Sequence, residues 1–230
     1  MQFVVRLTSF LPLFLYAICS HANDRNDLLS TEIGGYQVST AFSAYVFFEG
    51  EPKFRKQLKQ AIQQQNNRVA ALNRFPEVKQ QWQLAADFIN DNEEAAGDGT
   101  DRRLDTSLAV YMNELYRRIR TALETQPRGL SSGYLETRLQ FEKVIAQYIG
   151  YTSTSMGVYH SDETIEESVA KYSQLLEQTR NKNRDYNALV RKWNFIKKSM
   201  LAGTSAPFVT LHTAQKIRQL MADVYGEKLS

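Results

Sequence analysis

Gly129-Leu130-Ser131-Ser132-Gly133 matches the G-x-S-x-G pattern of a nucleophile elbow, and Asp162 and His212 follow in the order of a hydrolase triad. The chemistry would be acyl transfer, with Ser131 attacking, His212 as base and Asp162 orienting it. The context opposes this reading. A nucleophile elbow holds its serine on a sharp turn between a strand and a helix. Here the motif follows Pro127 and lies between two segments of helical periodicity. A small-residue loop between helices gives the same letters, and no catalytic residue is assigned.

Metal chemistry has two weak footholds. Asp91-Asn92-Glu93-Glu94 and Gly97-Asp98-Gly99-Thr100-Asp101 place acidic side chains and glycines in one connector. Calcium takes clustered oxygen ligands, but the spacing of an EF-hand loop is absent. A solvated connector with Asp101 as the next helix's N-cap is the plainer account. His160 and His212 are far apart in sequence, and neither has a histidine or carboxylate at helical spacing on a defined metal-binding face. No metal ligand is assigned. No cofactor is assigned either, since phosphate-cradling glycine loops, haem-attachment sequences and zincin motifs are missing.

Recognition is the chemistry that the residue types favour. The connector Gly150–His160 combines hydroxyls and aromatics. Tyr151, Thr152, Ser153, Met156, Tyr159 and His160 are its candidate ligand- or partner-binding residues. Tyrosine and methionine offer adaptable contact area, and hydroxyls offer hydrogen bonds. The competing account is that Tyr151, Met156 and Tyr159 cap the end of a helical core. Tyr45-Val46-Phe47-Phe48 is apolar all around a helical turn, which predicts burial rather than an exposed docking face. The runs Lys53–Lys59 and Arg191–Lys198 read as solvated helix faces.

The elements that must hold these residues are helices. One stripe runs through Leu104, Leu108, Tyr111, Leu115, Ile119 and Leu123, ended by Pro127 and Gly129. Another repeats every three or four residues through Ile165, Val169, Tyr172, Leu176, Thr179, Asn183, Tyr186, Val190, Trp193, Lys197 and Met200, with polar interruptions at Asn183 and Lys197. It predicts a single helix over Glu163–Leu201, roughly 55–60 Å long at 1.5 Å per residue, with Ser161 and Asp162 available as N-caps and Gly203 beyond its end. Pro52 suits the first turn of a helix, and Pro76 breaks the chain again. The Gln57–Gln65 stretch reads as a polar helix face. No segment shows sustained strand alternation. The prediction is all-α: an elongated antiparallel helical bundle with two or three long helices, forming one domain over residues 37–230 after a flexible segment at 23–36.

Residues 1–22 read as a cleaved signal peptide. Arg6 precedes an uncharged apolar run from Leu7 to Ile18, too short for a typical membrane span, and Ser20-His21-Ala22 offers a cleavage site. Cleavage near Ala22 would remove Cys19, the single cysteine, so no internal disulfide or thiolate site would remain. The leader holds one basic residue and no acidic one, leaving 27 basic against 25 acidic residues, a net +2. That balance gives no argument for a nucleic-acid partner. Export, helical periodicity and the lack of converging catalytic groups together predict a periplasmic, non-enzymatic binding or adaptor protein, not membrane-spanning after cleavage. It would engage an envelope or inner-membrane protein in sensing or assembly. A small-ligand receptor with an interhelical pocket is the alternative, and an envelope-acting hydrolase is the third reading.

Overall fold

The computed structural model describes residues 10–99, 101, 103–126, 133–153, 163–179 and 184–225. Every regular element among them is a helix: α1 (Phe10–Phe47), α2 (Pro52–Ala71), α3 (Pro76–Asp91), α4 (Glu93–Gly97), α5 (Leu104–Glu124), α6 (Gly133–Ser153), α7 (Ile165–Gln178), α8 (Arg184–Leu201) and α9 (Pro207–Tyr225). Pro52 and Pro76 both occupy the first helical turn, where a missing N–H costs no hydrogen bond.

Helices α1 and α6 form the centre. They pack most extensively on each other, α2 and α5 flank α1, and α7 and α9 flank α6. Both central helices therefore bury residues around much of their circumference. Helix α6 buries Phe141, Val144, Ile145 and Ile149, but also Thr137, Gln140, Glu142 and Gln147. The N-terminal part of α1 is built in as well. Residues 24–36, expected from the sequence to form a flexible segment, lie in the helix, with Leu28, Leu29, Ile33 and Tyr36 in the core. Gly34 and Gly35 are midway along it for reasons of space. A Cβ on Gly34 would overlap Gln65 Oε1, and one on Gly35 would come within 2.8 Å of the Tyr116 ring. The glycines let α2 and α5 approach α1 closely.

The long helix predicted over Glu163–Leu201 is instead two. Helix α8 folds back on α7: Tyr186 donates its hydroxyl to the Leu176 carbonyl at 2.6 Å, and Trp193 Nε1 donates to Ser173 Oγ at 3.0 Å. The Tyr172 and Trp193 rings meet edge to face at 4.6 Å. The predicted apolar seam is buried, but along both arms of a hairpin. No apolar residue occurs from Glu177 to Asp185, so nothing there would hold a continuous helix against a core. The α7 cap also differs from the expected Ser161 or Asp162. Thr164 is the N-cap, accepting from Glu167 N while the Glu167 carboxylate accepts from Thr164 N, a reciprocal capping box.

The Tyr45–Phe48 cluster is mostly inside. Tyr45 and Val46 are core residues, Phe48 stacks on Phe54 at 4.1 Å, and Phe47 lies at the surface. Among the described residues no helix is long and apolar enough to cross a membrane.

Candidate binding groove

Of the binding and triad candidates singled out in the sequence, the structure describes Tyr151, Thr152, Ser153 and His212. Tyr151 and Thr152 form the last turn of α6, where Tyr151 is 36% exposed and Thr152 Oγ1 donates to the Ile149 carbonyl at 2.8 Å. Ser153 turns inward and donates to Asp105 Oδ2, while Ser43 donates to Asp105 Oδ1 at 2.6 Å. Met156, Tyr159 and His160 lie outside the described residues, as do Ser131 and Asp162. His212, the remaining triad residue, is exposed on α9.

Asp105 is the unexpected member of this group. It sits at the start of α5, fully enclosed by α1 and α6, with two serine hydroxyls for partners and no ion pair among the described residues. Burial pushes its carboxyl up to about 6, and the hydrogen bonds from Ser153 and Ser43 only partly offset this.

The acidic connector is tied down by charge. Glu93 forms ion pairs with Arg55 at 3.1 Å and Lys59 at 3.3 Å. Asp101 accepts from the Arg103 backbone N–H at 2.9 Å; the α5 N-cap position itself belongs to Arg103 rather than to the expected Asp101. Among the described residues, no three His, Cys, Asp or Glu side chains are grouped as metal ligands.

A concave surface lies elsewhere. It runs between α2 and α9, floored by α1 and reaching Arg138 on α6. Two hollows, of about 820 Å³ and 240 Å³, share Gln37, Gln64, Gln215 and Arg218 and so join into one groove. The smaller hollow has an apolar and aromatic lining, with Phe54, Phe208 and Leu211 around Ala41 and Ala44. Lys53 Nζ stands 5.0 Å from the centre of the Phe208 ring. Glutamines line the middle: Gln57, Gln60 and Gln64 from α2 face Gln215 from α9. The larger hollow adds Arg68, Arg138 and Asp27.

Arg218 is anchored from below. Its Nε and Nη2 donate to the two oxygens of Glu142 at 2.7 and 2.6 Å, and Gln37 Nε2 adds a third donor at 3.0 Å. Burial opposes ionisation of Glu142, but the Arg218 charge and these hydrogen bonds outweigh it and hold the carboxyl below its usual range. Arg68 has no such counter-ion. Its Nη1 is buried against Gly34 with no hydrogen-bond partner. Burial, with the Arg138 charge second, lowers its pKa from the usual arginine value, and the Glu142 charge offsets this only in part.

The groove itself carries no motif: in the sequence, Lys53 and the Gln57–Gln65 stretch read as helix faces, and His212, which also lines the smaller hollow, as a triad candidate. A signal was nonetheless present. Lys53, Gln57, Gln60, Gln64 and Arg68 recur at helical spacing, so they form one polar stripe. Exposed helix faces usually carry opposite charges at such positions; a stripe of amides ending in a lone arginine is the departure that marks this face.

Comparison with protein-family models, with curated proteins and with solved structures returns no match to this chain.

Proposed function

We propose that this chain is an exported, non-enzymatic binding protein of the periplasm that holds a small ligand in the groove between α2 and α9. In this reading a signal peptide is removed near Ala22, and the mature chain is an elongated antiparallel bundle that stays outside the bilayer. The observation that carries it is the groove: a concavity with an aromatic end, an amide-lined middle and an arginine end, the usual combination of apolar wall and few placed polar groups in ligand sites. Amide, guanidinium and apolar side chains dominate its lining, which supports binding over hydrolysis.

The test has two parts. N-terminal sequencing of the protein recovered from the periplasmic fraction should give Asn23 as the first residue. A thermal-shift screen of envelope-derived small molecules should then yield a ligand whose effect is lost in Gln64→Ala. Retention of the intact leader in the cytoplasmic fraction, or hits indifferent to groove substitutions, would end the proposal.

An adaptor role for an envelope or inner-membrane protein is the second reading. It is supported by exposed apolar side chains on the C-terminal helices: Phe195 is 60% exposed, Leu201 47%, Phe208 53% and Val209 45%. Site-specific photocrosslinking from Phe195 and Val209 in intact cells should trap one discrete partner, and an absence of adducts at both positions counts against the role.

A further inference from the structure

We propose that the arginine end of the groove is an anion site, in which Arg68 and Arg138 take the carboxylate or phosphate group of the ligand. This assignment rests on the groove being the binding site, and it names the chemical class that the site admits.

The argument starts from an imbalance of charge. Four cationic residues line the two hollows, Lys53, Arg68, Arg138 and Arg218, with Asp27 as the acidic residue lining them. Glu142 beneath the surface forms a bidentate pair with Arg218, and its single charge acts more weakly on Arg138 and Arg68 as well. Arg138 is held in place by its Nη1 bond to Tyr134 Oη at 3.3 Å and by the Tyr134 ring, 5.9 Å from its guanidinium. Arg68 makes no ion pair among the described residues, although it is largely enclosed and close enough to Arg138 to feel its charge. Asp27 does not supply the missing charge through an ion pair. Its own carboxyl is pushed up, first by burial and then by Asp24.

An enclosed guanidinium stays protonated, so its charge has to be met by something. Leaving it unmatched costs free energy in the empty protein, and an incoming anion recovers that cost. Arginine suits this task because its planar fork matches the two oxygens of a carboxylate or phosphate. The amides of Gln64, Gln215 and Gln219 surround the same hollow and provide N–H donors for the remaining oxygens. Gly34 keeps the arrangement in place, since a side chain there would drive into Arg68 and Gln65.

The experiment titrates the mature protein with inorganic phosphate and, separately, with N-acetylalanine, a monocarboxylate. Both are compared with sodium chloride at matched ionic strength. We expect a saturable rise in melting temperature with at least one probe and none with chloride. Apparent affinity should fall at least tenfold in Arg68→Met and in Arg138→Gln, and remain unchanged in Arg117→Gln. Which probe binds tells a phosphate ligand from a carboxylate one. Arg68→Met should also raise the melting temperature of the unliganded protein by a few degrees, whereas a purely structural arginine would lower it. Equal responses of wild type and Arg68→Met to both probes, or no response at all, overturn the proposal. A neutral ligand from the screen that is lost in Gln64→Ala but retained in Arg68→Met would overturn the anion site and leave the groove as the binding site.

Discussion

Two of the buried carboxylates in this protein, Glu142 and Asp105, have opposite surroundings. Glu142 lies where α6 meets α9 and α1, gripped by both nitrogens of the Arg218 fork and by the Gln37 amide. Asp105 lies where α5 meets α1 and the end of α6, and two serine hydroxyls face it. Full charge compensation keeps Glu142 ionised, whereas hydroxyl dipoles alone leave Asp105 titrating at about 6. Between these two sites, charge is therefore fixed at the groove and variable at the C-terminal end of α6.

The largest effect should come from unbalancing the fixed site. Glu142→Gln leaves Arg218 buried without its counter-ion and should cost about 3–5 kcal/mol, read as a lower urea midpoint. The double variant Glu142→Leu/Arg218→Met should recover most of that loss, because no lone charge remains. If the double variant is as unstable as the single one, packing rather than charge governs the site.

The variable site predicts a pH dependence of the opposite sign to ordinary acid denaturation. Folded Asp105 keeps its proton up to about 6, while the unfolded chain releases it near 3.8. Between those values the folded state binds more protons, so stability is highest at the acidic end and falls as pH rises towards 6. The change should be about 3 kcal/mol. Below that window the slope reverses, because Glu142, whose folded pKa is lowered, must be protonated on acidification. Asp105→Asn should reduce the upper slope to the part contributed by Glu32, whose carboxyl burial also pushes up, and leave the lower slope intact, as measured by urea unfolding at successive pH values.

A smaller change sharpens the same contrast. Ser153→Ala removes one of the hydroxyls that lower the Asp105 pKa. Its pH midpoint should move above that of the wild type, with a stability cost of about 1 kcal/mol. The smallest effect belongs to the surface. Glu114 is held at about 2 by hydrogen bonds from Arg117 and Arg118, yet it faces water, so Glu114→Gln should leave the urea midpoint nearly unchanged.

How far these sites could be read from the sequence follows from what makes a pattern. The α5 stripe was legible because Leu104, Leu108, Leu115 and Ile119 all face the core, with Met112 and Tyr116 beside them. The seam through Tyr172, Leu176, Tyr186 and Trp193 was legible as buried surface, but its topology was not. Two helices packed against each other can carry the same spacing of apolar residues as an unbroken helix. Residues 24–36 were hidden for a different reason. Thr31 and Glu32 are buried there among Leu28, Leu29 and Ile33, and a helix enclosed on most sides loses the polar face that periodicity needs. Asp105 and Glu142 were invisible on the same account. A carboxylate on a helix reads as solvent-facing until a partner from a distant segment arrives, and Arg218 is 76 residues from Glu142.

The central position of α1 has a consequence for how the chain reaches this state. Gln37 meets Glu142 across 105 residues, and Glu32 meets Arg120 across 88. Helix α1 thus waits for α5 and α6 before its apolar sides are covered, and α9 closes over α6 later still. Helical proteins that fold fastest rely on neighbours in sequence, and closing long loops slows the search. Refolding should therefore be slower than helix content alone suggests, and α1 is the segment with the greatest need of shelter while the rest of the chain is still being made.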